Sequence, residues 1–391
     1  MIGDEGRYYM YAQNLLQGFY SPPPPDIYLW NGPGYPLFLM PFVFLKASLI
    51  VITLANAFLQ YLSVVFLFKS ILKITNFRKA LLFGLFWAFS FGAYHYMHSI
   101  LTESLTFVLI SLFVYFVVYA FRSEKKIYIY LSGFILGYIA LTKIIFGYVI
   151  IILLLGSALL WIMNRKKIDY KKSVLISTLA LITVMPYLIY TQSLTGRFFY
   201  WGNSGGMSLY WMSTPHEGEY GDWNGEHFLA NNPNISVSGH EAFLSKHHQE
   251  EMNEILKYKG VNRDDAFKRF AMKNIKQHPK KYLKNIFSNM NRMFFDFPNT
   301  YSFQYPSRLV WYSGILFTLM LFSFVLTIVN WRQIDYSIRF LFMVSFAYLG
   351  GSMLLSADFR LFSTVIPVLL IWVAYILHQF VLVKTKFGVK R

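Results

Sequence analysis

The sequence contains no cysteine and few charged residues, and these two shortages already indicate the class of protein. Without cysteine, the 391-residue chain has no disulfide framework. Charged residues make up only 14% of the chain, whereas 55% is hydrophobic and 20% aromatic, which is far from the composition of a soluble domain. The sequence therefore predicts an all-α, polytopic membrane protein.

Nine apolar stretches of roughly 20 residues are candidates for crossing a bilayer core about 30 Å thick. They lie at about 49–70, 80–98, 103–121, 127–142, 144–163, 173–192, 309–330, 338–356 and 361–383. The stretches at 127–142 and 144–163 are almost continuous. Gly133, Gly137 and Lys143 favour two helices over one long helix at this point.

Lysine and arginine cluster in alternate connections, which indicates that these connections are cytoplasmic. The net charge of +17 follows from this topology and does not indicate nucleic-acid binding. The predicted domains are an extracytoplasmic segment with interfacial helices at 1–47, transmembrane helices at 48–192, an extracytoplasmic loop domain at 193–308, and transmembrane helices with a cytoplasmic tail at 309–391. Met1 then lies outside the membrane with no span before it, so we expect a further transmembrane helix upstream.

The long loop at 193–308 has the polarity of an ordinary extramembrane domain. Its first part, 196–215, is rich in Gly, Ser and aromatic residues and predicts irregular or short extended structure, so we expect a mixed loop domain. Three helices are predicted to follow: one from about Gly239 to Lys259 with Gly260 as cap, one that starts after Asn262 and ends before Pro279, and one that begins at Pro279.

Ionisable residues recur at the extracytoplasmic ends of the predicted spans. Asp4 precedes a predicted helix, and Glu103, Lys143, Asp358 and Arg360 stand at the mouths of other spans. The ordinary alternatives are a helix N-cap for Asp4 and snorkelling to lipid headgroups for the two cations. Charged residues at membrane depth are nevertheless costly and tend to be functional. Cations around one cavity would hold a phosphate, and a carboxylate there could take a proton from a hydroxyl.

Several short motifs, some of which contain these residues, together resemble those of a known family. They are D-E-x-x-Y from Asp4, P-G-Y-P-L at 33–37, L-T-E-S-L at 101–105, N-S-G-G-x-S-L-Y at 203–210, L-T-K at 141–143, H-P-x-x-Y-L at 278–283 and R-x-F-x-x-x-x-P at 360–367. This set resembles the membrane glycosyltransferases related to protein O-mannosyltransferases and lipid A aminoarabinose transferases, and it extends over nearly the whole chain.

The resemblance implies a GT-C fold in which a transmembrane helix precedes the Asp-Glu pair. It also implies an inverting transfer of a sugar from a polyprenyl-phosphate donor to an acceptor on the outer face of a bacterial plasma membrane. Membrane lipids are then partners as well. The acceptor stays open among protein, lipid and glycan hydroxyls, and the sequence does not identify the donor sugar.

The family motifs assign roles to individual residues. Asp4 matches the general base, and Glu5 is its positioning neighbour. Glu103 matches an acidic residue that contacts acceptor or donor sugar. Lys143 and Arg360 match basic positions that stabilise the phosphate leaving group.

Asp358, Tyr8 and His98 complete the predicted site as supporting residues, with Asp358 orienting the following arginine. No metal ligand is assigned, although a divalent metal stays possible because His95 and His98 lie three residues apart on a predicted helix. An aromatic-belt position is the ordinary alternative for these histidines.

One departure from the family is the sequence at 30–33, Trp-Asn-Gly-Pro, where aminoarabinose transferases have an acidic, lysine-containing stretch. This departure puts a metal site there, and lipid A as acceptor, in doubt.

Two other classes of function compete with the glycosyltransferase hypothesis. A transporter or flippase of lipid-linked sugars would also need many spans and a cationic cavity, but it commonly shows internal repeats and charges at the membrane midplane. Here the centres of the spans are nearly free of charge. A polysaccharide ligase or polymerase would share the donor without needing an Asp-Glu pair.

Overall fold

All regular secondary structure is helical in the part of the chain that the computed structural model describes, residues 3–90, 94–225, 239–300 and 310–381. The helices are α1 (Asp4–Leu16), α2 (Gly34–Phe44), α3 (Leu49–Ile74), α4 (Phe77–Ala88), α5 (Glu103–Arg122), α6 (Ile127–Thr142), α7 (Ile145–Met163), α8 (Ile168–Thr195), α9 (Gly205–Met212), α10 (Gly239–Ile255), α11 (Gly260–Gln277), α12 (Pro279–Phe295), α13 (Val310–Val329), α14 (Tyr336–Met353) and α15 (Phe359–Phe380). The end of the predicted tail, 382–391, lies outside the described residues.

Five of these helices, α3, α5, α7, α8 and α15, are long and apolar enough to cross a membrane. The protein is therefore a multi-pass integral membrane protein. The prediction of two helices between 127 and 163 is confirmed, because α6 ends at Thr142 and α7 begins at Ile145. The prediction of a full span at 80–98 is wrong, because α4 has only 12 residues and a helix of that length is about 18 Å long.

Small residues allow α6 and α8 to approach each other closely. A Cβ atom at Gly133 would overlap the side chain of Leu179 and the backbone of Ile176, and one at Gly137 would overlap Thr183. Membrane helices pack through such small residues because lipid supplies no hydrophobic driving force between them. The two glycines that marked a break in the sequence therefore serve helix packing.

The two ends of the transmembrane helices have different chemistry. At one end, Arg122 donates to the carbonyl of Lys73 at 3.2 Å and to Asp335 at 2.9 Å, and Lys172 donates to the carbonyl of Ala120 at 2.7 Å. Basic connections that the sequence assigns to one side thus meet in space. Glu103, at the start of α5, is at the opposite end.

The loop domain differs from the predicted mixed structure. Residues 205–212 of the segment expected to be irregular or extended form α9, and no strand is present in the described part of 193–308. Gly260 begins α11 with a positive φ of 52° and does not cap α10, which ends earlier at Ile255. A Cβ at Gly260 would press on the carbonyls of Pro25 and Ile27, so this position needs glycine for close packing as well as for its backbone angle.

Buried polar side chains of α12 fasten the loop domain to the connection before α15. The Asn289 amide donates to the carbonyls of Met353 and Leu355 at 3.1 and 2.6 Å and accepts from the Ala357 N–H at 2.9 Å. Arg292 donates through Nε to the Ala357 carbonyl at 2.9 Å. Because unsatisfied buried polar groups are costly, these bonds fix the path of the chain that leads into α15.

Candidate active site

Asp4 is the first residue of α1, and its side chain is turned toward arginines. The N-cap of α1 is Gly3, without a side-chain cap, so Asp4 does not have the N-cap role considered above. One carboxylate oxygen pairs with Arg7, one turn further along the helix, and the other accepts from Arg360 Nη1 at 2.9 Å. The Asp4 side chain keeps 28% of its surface exposed. Asp4 is therefore both paired and accessible.

Glu103 is a fully buried carboxylate that binds two cations. Its Oε1 accepts from Lys143 Nζ at 2.9 Å and from Arg360 Nε at 3.0 Å. Its side chain has no exposed surface, and its Oε2 has no hydrogen-bond partner among the described residues. A buried carboxylate in this place is stable only because the cations compensate its charge. Glu103 thus holds the two predicted phosphate-binding residues side by side.

Arg360 is the central member of the group because it joins both carboxylates. Its guanidinium also lies over the ring of Tyr96, 5.8 Å from the centroid. Asp358 is the N-cap of α15, and its Oδ1 accepts from the backbone N–H of Arg360 at 2.9 Å. Asp358 therefore positions Arg360 through the helix backbone.

Glu5 and Tyr8 hold the surrounding chain. Glu5 Oε1 accepts from the backbone N–H of Ile100 at 2.9 Å, which ties α1 to the segment before α5. The buried Tyr8 hydroxyl accepts from the Asn31 amide at 3.0 Å. Burial, with a smaller contribution from Glu103, raises the pKa of Tyr8 to about 12, so its phenol remains neutral.

These groups border a cavity of about 590 Å³. Of the predicted site residues, five line the cavity: Asp4, Tyr8, Lys143, Asp358 and Arg360. Glu5 and Glu103 support the site from behind that lining. His98 is exposed and lies apart from the lining. No three His, Asp or Glu side chains within the described ranges lie together in a way that could hold a metal ion.

Sequence reasoning missed several lining residues. Arg7 could have been found, because a basic residue three positions after Asp4 lies on the same helix face. Trp30 could not have been found from the sequence. In the structure, the Arg7 guanidinium lies over its ring, 5.4 Å from the centroid. The loop domain contributes further lining residues whose position in the cavity was not predicted from the sequence: Ser204, Asp222, Trp223, Arg292, Asp296 and Asn299.

A second group of ionisable residues lies in the loop domain, next to the segment that reaches the cavity. The Glu219 carboxylate is hydrogen-bonded to His247 Nδ1 and to His248 Nε2, each at 2.8 Å. Burial alone would raise the pKa of Glu219, but hydrogen bonds from His248, Thr214 and His247 outweigh burial and hold it at about 2. The ring of His216 stacks on His247 with centroids 4.2 Å apart. Burial lowers the pKa of His216 to about 4, against the opposing influence of Glu219.

These pKa values predict that acid loosens the loop domain. When the pH falls below 6.5, the unfolded chain binds a proton at His216 that the folded chain accepts only near pH 4, so stability is lost across this window. Glu219 adds a further loss between about pH 4.5 and 2, because its folded pKa is depressed. We expect the unfolding temperature in detergent to fall between pH 7 and 4.5, with His216 accounting for roughly 2–4 °C of the shift.

The matched variant for this measurement is His216→Asn, which should show a shallower decrease over the same pH range. His247 and His248 remain in that variant and face the same carboxylate. Equal decreases in the two proteins would contradict the assignment to His216.

Glu103 provides a second test of the site. Replacing Glu103 with Gln leaves Lys143 and Arg360 without their shared charge, and we expect a loss of roughly 3 kcal/mol in the free energy of unfolding. The double variant with Lys143→Gln should cost clearly less than the sum of the single changes, because the two side chains form one unit. Glu124→Gln, at an exposed position, is the control. Additive costs would contradict the coupling.

No curated protein sequence matches the chain. Among solved structures, the chain is similar to ArnT from Cupriavidus metallidurans bound to undecaprenyl phosphate, with 11% identity, a TM-score of 0.39, and coverage of 96% of this chain and 73% of that one. Residues 32–190, which include Glu103 and Lys143, match the family model described as dolichyl-phosphate-mannose-protein mannosyltransferase. Over this segment, the chain is similar to the dolichyl-phosphate-mannose-protein mannosyltransferase family.

Proposed function

We propose that this protein is an inverting glycosyltransferase that transfers a sugar from a polyprenyl-phosphate donor to a hydroxyl of an acceptor. The observation that carries the proposal is the meeting of Asp4, Lys143 and Arg360 on the wall of one cavity. A carboxylate beside two cations supplies a base and a phosphate site together. The match of residues 32–190 to the mannosyltransferase family model supports the same donor chemistry.

Lys143 and Arg360 would bind the donor phosphate. Glu103 accepts one hydrogen bond from Lys143 Nζ and one from Arg360 Nε. Other N–H groups of the ammonium and the guanidinium remain to donate to a ligand. Because Glu103 already holds both cations in place, their side chains lose little conformational freedom when the phosphate binds. During transfer they stabilise the charge that develops on the leaving phosphate.

Asp4 would act as the general base. The acceptor hydroxyl gives its proton to the Asp4 carboxylate while its oxygen attacks the anomeric carbon of the donor sugar. The bond between that carbon and the phosphate oxygen breaks, and its electron pair leaves with the polyprenyl phosphate. A single displacement of this kind inverts the anomeric configuration.

The ion pairs of Asp4 make the order of binding matter. Arg7 and Arg360 occupy both of its oxygens, and opposite charges at this distance make a carboxylate a weaker base. A donor phosphate competes for Arg360 and releases one Asp4 oxygen toward the cavity. Donor binding therefore precedes activation of the acceptor.

The site would face the extracytoplasmic side of a bacterial plasma membrane. The basic end of the helices, with Lys73, Arg122 and Lys172, has the charge expected of a cytoplasmic surface. Glu103 and Arg360 begin α5 and α15 at the other end. A lipid-linked donor can reach that end from within the membrane.

Replacing Asp4 with Asn tests the base directly. With a panel of polyprenyl-phosphate sugars and reconstituted protein, we expect release of free polyprenyl phosphate to fall at least about 100-fold, because the amide cannot accept the proton. The control is Asp26→Asn, since Asp26 is an exposed partner of Lys259 in the same N-terminal region.

Unchanged release by the Asp4 variant would exclude Asp4 as the base. Movement of intact donor across the vesicle membrane, without release of phosphate from the native protein, would instead favour the transporter hypothesis.

Replacing Lys143 with Gln tests the phosphate site without depending on turnover. We expect the affinity for polyprenyl phosphate, measured by calorimetry in detergent, to fall by about tenfold or more, as for the loss of a charged hydrogen bond. Lys246→Gln, an exposed lysine of the loop domain, is the control. Equal affinity of the native and Lys143 proteins would exclude this residue from the phosphate site.

A further inference from the structure

The loop domain presents an exposed tryptophan to the cavity. Trp223 lines the cavity and leaves 48% of its surface exposed. Tryptophan is highly buried on average, so a ring exposed on a concave wall is a candidate surface for binding a ligand. Trp30, which also lines the cavity, is different because it already packs against Arg7 at 5.4 Å and Tyr28 at 6.2 Å.

The chain that carries Trp223 is anchored on both sides of the ring. Asp222 accepts from the backbone N–H of Thr300 at 3.1 Å and also from its hydroxyl. The Asn224 amide donates to the Asp222 carbonyl at 3.1 Å, and Asn224 is itself buried. The backbone that carries the exposed ring is therefore held in place, which favours a preorganised binding surface.

The surroundings of the ring combine one apolar face with hydrogen-bonding groups. Carboxylates of Asp222 and Asp296 and the amide of Asn299 line the same cavity. A pyranose matches this chemistry, since its C–H face can lie on an aromatic ring while its hydroxyls bond to carboxylates and amides.

We propose that Trp223 is the stacking platform for a sugar unit of the acceptor, so that the acceptor is a glycan. This inference rests on the proposed function and specifies its acceptor class. The acceptor is favoured over the donor because Trp223 belongs to the extramembrane loop domain. Lys143, which would hold the donor phosphate, lies instead at the junction between α6 and the candidate membrane-spanning helix α7.

Binding of oligosaccharides in the absence of donor tests the platform. Native protein in lipid nanodiscs is examined by saturation-transfer NMR against a panel of methyl glycosides of neutral di- and trisaccharides. We expect transfer to the C–H protons of one pyranose face, an affinity about tenfold lower for Trp223→Ala, and a smaller decrease for Trp223→Phe. Phe198→Ala removes an exposed aromatic residue elsewhere and is the matched control.

Turnover measurements separate this inference from the proposed function. With a glycan acceptor, Trp223→Ala should raise the acceptor KM about tenfold and leave the donor KM unchanged. Turnover by the native protein together with unchanged glycan binding by Trp223→Ala overturns the platform while the transferase stands. Binding that depends on Trp223 without any release of polyprenyl phosphate overturns the transferase while the platform stands. Transfer only to peptide acceptors overturns the glycan assignment.

Discussion

The buried carboxylate of Glu103 is the interaction on which the candidate site depends. It joins Lys143, at the junction of α6 and α7, to Arg360, near the start of α15. Residues separated by more than 200 positions are thus held together at one end of the membrane helices. Burying the Glu103 carboxylate is costly unless its charge is compensated, and the contacts with the partly buried Lys143 and Arg360 meet this requirement.

Arg360 extends this unit to Asp4 and so connects the membrane helices to the N-terminal segment. The loop domain acts on the same residue from the other side, because Asn289 and Arg292 fix the connection that leads to Asp358. The cavity is therefore bounded by three parts of the chain that are distant in sequence. A change in the loop domain can reach the chemistry through the backbone of this connection.

Sequence patterns predicted the structure best where a property of one continuous segment, such as its hydropathy, determines the secondary structure. Long apolar runs predicted α3, α5, α7, α8 and α15, and the break near Lys143 predicted two helices. Local patterns failed at α4, which is shorter than its apolar stretch, and at Gly260, which opens a helix. At Gly260 the outcome depends on the carbonyls of Pro25 and Ile27, which no local window contains.

The sequence by itself determined the membrane class, the principal spans and the ionisable residues available at their ends, because hydropathy and charge act along the chain. It did not determine which of these residues meet. Only the tertiary structure turned Asp4 toward two arginines, buried Glu103 behind Lys143, and brought Trp223 to the cavity. The reason is physical: pairing and burial of charge depend on distances between helices, and packing sets these distances only after the chain has folded.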